Sequence, residues 1–247
     1  MNSWANIKTI CKRELAAYFS SPVAYVFIVI FLVLTGVFTF YLGYLFERGE
    51  ASMANSFLWH PWLYMLLVPA VGMRLWSEEK RVGTMELLLT MPITPWQAIL
   101  GKFLASWLFL GIALVLTFPL ALTINYLGDP DNGVIIASYV GSWLMAGAYL
   151  AITCATSALT RNQVISFILS AMLCFFLVLA AFPPMVQIMS AWAPPLLINL
   201  VTSAGVITHF DSIQKGVFDL RDIIYFLSII GFALFTTSVL IRTTRNS

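Results

Sequence analysis

The sequence predicts an all-α polytopic membrane protein with six transmembrane helices. Three observations carry that expectation. The composition is 60% hydrophobic and 10% charged, with mean hydropathy +0.90, where a soluble domain holds about 25% charged residues. Six apolar stretches, roughly 22–45, 58–76, 96–124, 134–159, 163–181 and 223–241, reach or approach the ~20 residues that cross a hydrocarbon core. With six spans, Lys8, Lys12, Arg13, Arg74, Lys80, Arg81, Lys102, Arg161, Arg242 and Arg245 share one side with both termini, and only Arg48, Lys215 and Arg221 fall on the other. The basic side faces the cytoplasm, so both termini are expected inside.

Residues 1–20 are too charged to span. Trp4, Ile7, Cys11, Leu15 and Tyr18 fall on one helical face, away from Lys8, Lys12 and Arg13. That pattern predicts an amphipathic helix on the inner leaflet, its lysine stems snorkelling to phosphates. The apolar run after Pro22 is too long for a signal-peptide core and lacks a small-residue cleavage site. Ser21-Pro22 and Thr94-Pro95 each place a capping hydroxyl before a proline at the first helical position. Gln97, three residues after Thr94, completes a capping box. The third stretch is the longest and must tilt or project. Gly147, Ala151 and Ala155 recur at the four-residue spacing that lets helices approach closely. In 182–222, Pro183-Pro184 and Pro194-Pro195 cut an apolar stretch into pieces too short to cross. Irregular backbone at membrane depth needs protein or water around it, so this part reads as a broken or re-entrant outer segment. The whole chain, 1–247, reads as a single transmembrane domain.

Several function classes are disfavoured. A net charge of +2 without a basic run does not suit a nucleic acid. Three cysteines, Cys11, Cys154 and Cys174, with no CxxC spacing, read as small apolar residues. No carboxylate sits mid-span, as an ion-driven carrier would need, and Arg74 and Lys102 lie near inner ends, where they can snorkel. His60 and His209 are isolated and read as surface or interface residues. Gly101-Lys102 is followed by Phe103 and lacks the glycine spacing of a phosphate loop. The chain therefore holds no cofactor of its own in this reading.

The distinctive stretch is the cytoplasmic link between the second and third spans, 77–94. Gly83 permits a break, Thr84 can cap a short helix, Glu86 suits its first turn and Pro92 stops it. Met85, Leu87, Leu88 and Leu89 are then left partly exposed, either to a groove on a soluble partner or to lipid at the interface.

This stretch reads E-E-K-R-x-G-T-x-E-L-L-L-T-x-P-I-T from Glu78 to Thr94, followed by Leu100-Gly101-Lys102. It resembles the membrane subunit of ABC-2 type transporters, most closely the gliding-motility-type and nitrous-oxide-reductase-accessory-type branch. The resemblance implies a permease half: two such subunits, identical or related, pair in the bilayer, and each docks on a separate cytoplasmic ABC ATPase. ATP and magnesium would belong to that partner. The helix around Thr84–Pro92 would be the coupling helix, with Glu78, Glu79 and Arg81 bracing it. Glu78, Glu79, Arg81, Gly83, Thr84, Met85, Glu86, Leu87, Leu88, Leu89 and Pro92 thus form the implied ATPase-coupling set. A periplasmic or membrane-anchored companion is compatible. So is an alternative role, in which the same ATPase contact transmits force to an envelope assembly without transport.

Overall fold

In the computed structural model, residues 3–43, 52–85 and 93–245 are described, residues 244 and 245 without their side chains. The described residues form helices and no strand. Helix α1 spans Ser3–Phe19. Helix α2, Pro22–Val37, runs on into a π-helical turn at Phe38–Leu42. Short α3 (Ala54–Phe57) leads into α4 (His60–Gly72) and α5 (Arg74–Val82). Helices α6 (Pro95–Val115) and α7 (Phe118–Leu127) follow, then α8 (Asn132–Leu159) and α9 (Gln163–Leu179). The chain closes with α10 (Pro183–Ser190), α11 (Pro195–Ser203), α12 (Val206–Gln214) and α13 (Leu220–Arg245). Both expected start signals form: Ser21 accepts from the Val23 amide at 3.4 Å, and Gln97 accepts from the Thr94 amide at 3.1 Å.

Helix α8 is the hub. It packs against α4, α5, α6, α9, α12 and α13, and its buried face carries small residues, among them Gly141, Ala148, Ala151 and Ala158. Ser142 accepts or donates at 2.7 Å to His60 Nδ1 and at 2.8 Å to the Tyr64 hydroxyl, tying α8 to α4. Helices α6 and α8 run antiparallel and share a reciprocal clasp. The sequence Trp-Leu-x-x-Gly occurs at 107–111 and again at 143–147. The two indoles stack at 4.3 Å. Trp107 Nε1 donates to the Trp143 carbonyl at 2.8 Å, and Trp143 Nε1 donates to the Trp107 carbonyl at 3.1 Å. Each indole lies on the other helix's glycine: a Cβ at Gly111 would stand 2.9 Å from Trp143, and one at Gly147 2.7 Å from Trp107. The expected small-residue contact at Gly147 therefore exists, and an indole occupies it.

These contacts order the molecule into two ends. One end carries α1, α5, the start of α6 and the α8–α9 junction. The other carries residues 52–62, 116–142 and 179–222. Lys8, Lys12, Arg13, Arg74, Lys80, Arg81, Lys102 and Arg161 all belong to the first end, called here the basic end. Arg48 and residues 44 and 45 lie outside the described residues.

The described helices give four to six candidate spans where six are expected. Four helical stretches are long and apolar enough to cross a membrane: Pro22–Leu42, Pro95–Leu127, Asn132–Leu159 and Leu220–Thr243. Two bent pairs raise the number to as many as six: Gln163–Leu179 with Pro183–Ser190, bent by 68°, and Pro195–Ser203 with Val206–Gln214, bent by 62°. The expected span at 58–76 is formed by two helices meeting at Met73, which together run from the far end to the basic end, and it is not among the helices long and apolar enough to cross by themselves. Helix α4, at ~1.5 Å per residue, is about 20 Å long, short of a ~30 Å core. The expected outer segment 182–222 holds one and a half of the bent pairs. The long third stretch breaks at Leu116-Thr117, because Pro119 has no amide hydrogen to continue the ladder.

The backbone freed at the second bend is satisfied in place. His209 Nε2 donates to the Ser203 carbonyl at 2.9 Å, and the Tyr225 hydroxyl donates to the Ala204 carbonyl at 2.6 Å. His209 Nδ1 faces Asp222 Oδ1 at 2.6 Å, and the Ser212 hydroxyl donates to the same carboxylate. His209 and His60 are 7% and 1% exposed, which removes the surface half of the surface-or-interface reading. His209 has a partner on each ring nitrogen, whereas His60 has the Ser142 hydroxyl on Nδ1 and no partner for Nε2 among the described residues.

Helix α1 also differs from expectation. Ile7, Cys11, Leu15 and Tyr18 do form its packed face, but that face lies along α6 rather than being left for lipid. Ser3 and Asn6 bond Gln97, Ile10 rests on Gly101, and Tyr18 stacks on Phe109 at 4.9 Å. Trp4 is left 74% exposed.

Candidate functional site

The charged arm after the second apolar stretch begins at an elbow. The carbonyl of Met73 and the first amides of α5 lose their helical partners there. Ser157 of α8 replaces them: its hydroxyl accepts from the Trp76 and Ser77 amides, each at 3.0 Å, and donates to the Met73 carbonyl at 2.9 Å. The Trp76 indole donates to Cys154 Sγ at 3.1 Å. The elbow is thus fastened to the hub by side chains that look inert in sequence.

Beyond it, each charged residue of α5 finds a different element. Glu78 pairs with Arg81 at 2.5 Å and accepts from the side-chain Nε2 of Gln163 at the start of α9. Lys80 donates to the Ala158 carbonyl, one of the unpaired acceptors at the C-terminus of α8, where a cation also suits the helix dipole. Burial first, then the charge of Arg161, holds the Lys80 ammonium below the usual lysine range. Glu79 reaches Lys102 of α6 at 2.8 Å, and Glu14 of α1 stands 3.5 Å from the same ammonium. Lys102 is 4% exposed and lies 5.6 Å from the Trp76 ring centroid. Arg13 closes the group by pairing with Glu14 at 2.8 Å. Nearby, the Tyr18 hydroxyl bonds Ser106 at 2.9 Å, and burial pushes it up to about 12.

Gly83 ends α5 with φ 79°, in the left-handed region. A Cβ there would meet nothing within 4 Å, so the residue is glycine for its backbone and not for space. The Thr84 hydroxyl donates to Glu79 Oε2 at 3.5 Å. Met85 is 4% exposed and joins the chain's own core. That corrects the expectation of a partly exposed Met85: the left-handed turn at Gly83 folds the chain back onto the bundle. Glu86, Leu87, Leu88, Leu89 and Pro92 lie outside the described residues.

Of the residues singled out in the sequence, the structure brings together Glu78, Glu79, Arg81, Thr84 and Met85 at the basic end. Sequence reading passed over Glu14 and Gln163, and it left Lys102 to snorkel. One signal was available. A lysine well inside an apolar helix needs a carboxylate within reach, and Glu79 is the one that an arm leaving the previous apolar stretch can supply.

The chain is therefore a multi-pass helical membrane protein whose basic end gathers an ion-paired arm, two helix termini and the N-terminal helix into one junction. It belongs to the ABC-2 family of transporter proteins: residues 8–200 match that family, described as ABC-2 family transporter protein. Comparison with curated proteins gave no match. As a member it is a membrane permease subunit of an ABC transporter, working in a lipid bilayer with an ABC ATPase.

Proposed function

We propose that this permease couples ATP hydrolysis on a separate cytoplasmic ATPase to movement of a substrate across or out of the inner membrane, as one half of a pair with a second copy or a related chain. The run from Glu78 to Thr94 favours the gliding-motility-type and nitrous-oxide-reductase-accessory-type branch. The segment from Thr84 to Pro92 is the docking element. Leu87, Leu88 and Leu89 supply its apolar contacts, and ATP and magnesium are held by the partner.

The observation that supports this reading is the buried Lys102 junction. An arm joined to α6 and α1 by Lys102, to α8 by Ser157 and Lys80, and to α9 by Gln163 cannot move without moving those helices. A push at the docking segment reaches the bundle through hydrogen bonds and ion pairs already in place.

The test is co-purification with the Walker-motif ATPase of the same gene neighbourhood, normalised to the amount of permease in the membrane. Burying one leucine is worth about 1.5–3 kcal/mol. Leu88→Asp should therefore detach the ATPase at unchanged membrane level. Undiminished capture by Leu88→Asp would defeat the docking assignment.

A further inference from the structure

A groove opens beside the Lys102 junction. Helices α1 and α2 diverge at Ser21 from α4, α5 and α6 and leave a cavity of about 390 Å³ between them, open to the side. Its floor is aromatic, from Tyr18, Phe27 and Phe109. Its open rim is aliphatic: Val23, Val26 and Ile30 of α2 are 50%, 55% and 43% exposed. One end is charged, with Glu14, Lys102 and Arg74.

The charges at that end do not cancel. Lys102 is matched by Glu79, and Glu14 by Arg13. Arg74 is exposed and has neither an ion pair nor a hydrogen bond among the described residues. An unmatched guanidinium at the head of an apolar slot, in a chain that works in a bilayer, has the polarity of one kind of ligand: an anionic head joined to a hydrocarbon tail. Guanidinium binds phosphate oxygens bidentately and is always charged. The slot runs from the charged end along the aliphatic faces of α2 and α4, as an acyl chain would.

We infer that this groove binds an anionic phospholipid of the adjoining leaflet, its phosphate on Arg74 and one chain along Val23, Val26 and Ile30. With the basic end on the cytoplasmic side, as the proposed function has it, this is a lipid of the inner leaflet. The lipid is a resident ligand and not the transported substrate. Zwitterionic lipids share the phosphate, but their ammonium offsets the attraction to Arg74.

The experiment is native mass spectrometry of the purified full-length chain after equilibration with equal amounts of phosphatidylglycerol and phosphatidylcholine of matched acyl length. The expected result is preferential retention of one phosphatidylglycerol. Arg74→Gln should lower that retention about fivefold, the effect of one basic residue at an anionic surface. Val26→Trp, which fills the slot and leaves Arg74 in place, should lower it as well. Lys12→Gln, on the far face of α1, should not. Equal retention in all four proteins, or equal loss in all three variants, would mean diffuse attraction of lipid to the basic end and would overturn the site. So would efficient disulfide formation between two copies carrying Val26→Cys, with no lipid retained, because a second chain would then fill the groove. Lipid retention is read without any ATPase present, so its failure and a failure of the docking assignment are separate results.

Discussion

At the scale of single residues, Lys102 governs the basic end. A buried ammonium is tolerable only with carboxylates beside it, and removing one partner of such a group costs more than the pair contributes. Lys102→Met leaves Glu14 and Glu79 without their shared cation, Glu14 keeping only Arg13. Both retain some contact with water, their side chains 19% and 18% exposed, so the expected loss is about 1–3 kcal/mol, less than for a fully buried pair. Glu79→Gln keeps Glu14 beside the ammonium and should cost less. The order is checked by the temperature at which half the protein leaves its size-exclusion peak in detergent. Equal loss in the two variants would show that the junction does not depend on Lys102. Local signals at this scale were legible in the sequence wherever a residue acts on its chain neighbours: Ser21, Gln97 and Gly83 stand in their expected roles. Glu14, Ser157 and Gln163 act on residues far away in the chain, and no spacing rule announces such partners.

At the scale of elements, α1 shows how a correct pattern can be given the wrong solvent. The heptad-like face was readable, but whether lipid or protein covers it depends on α6. Gly101 is what admits the helix: a Cβ there would lie 2.6 Å from Ile10 Cγ2. Gly101→Leu should overpack this contact, at about 1–3 kcal/mol, and lift α1. Cys11 reports the change. Its thiol is half-buried and burial raises it above the usual range, so less thiolate is present near neutral pH than for an open cysteine. When α1 lifts, the thiol should fall back toward its ordinary value and react faster with maleimide, while buried Cys154 and Cys174 stay silent. An unchanged rate would mean that α1 does not need this close approach. The breaks at Pro183 and Pro194 were anticipated from the prolines, while the bend at Gly205, which has no proline, was not. Nor was the assignment of the bent pairs to spans, because it depends on His209, Tyr225 and Asp222 sealing the bend.

At the scale of the whole molecule, the partition of Lys and Arg between two ends makes a topological prediction. Cysteines replacing Asp129 and Lys215, both exposed and at the far end, should be labelled by an impermeant maleimide in intact cells. One replacing Thr84 should be labelled only after the membrane is opened. Ser212 is a poor choice for the same purpose, since its hydroxyl bonds Asp222. Labelling of Thr84→Cys from outside would reverse the orientation. The helical class and four of the six apolar stretches were legible in the sequence, because hydropathy over about 20 residues needs no knowledge of neighbours. At 58–76 hydropathy does not register the break at Met73, where a serine on another helix bonds the freed carbonyl.

The clasp between Trp107 and Trp143 has a mechanical consequence. In hydrocarbon, an indole N–H that leaves its carbonyl finds no water to replace it. Two such donors point in opposite directions across the same seam, so sliding or rotating α6 past α8 strands both at once. That seam is the frame of a machine and not one of its hinges. In the proposed function, strokes driven from the basic end must be taken up elsewhere, along boundaries without a polar lock, and among the described residues the boundary between α2 and α4 is one of them. The two copies of Trp-Leu-x-x-Gly would then serve as the fixed reference against which the remaining helices keep their stroke.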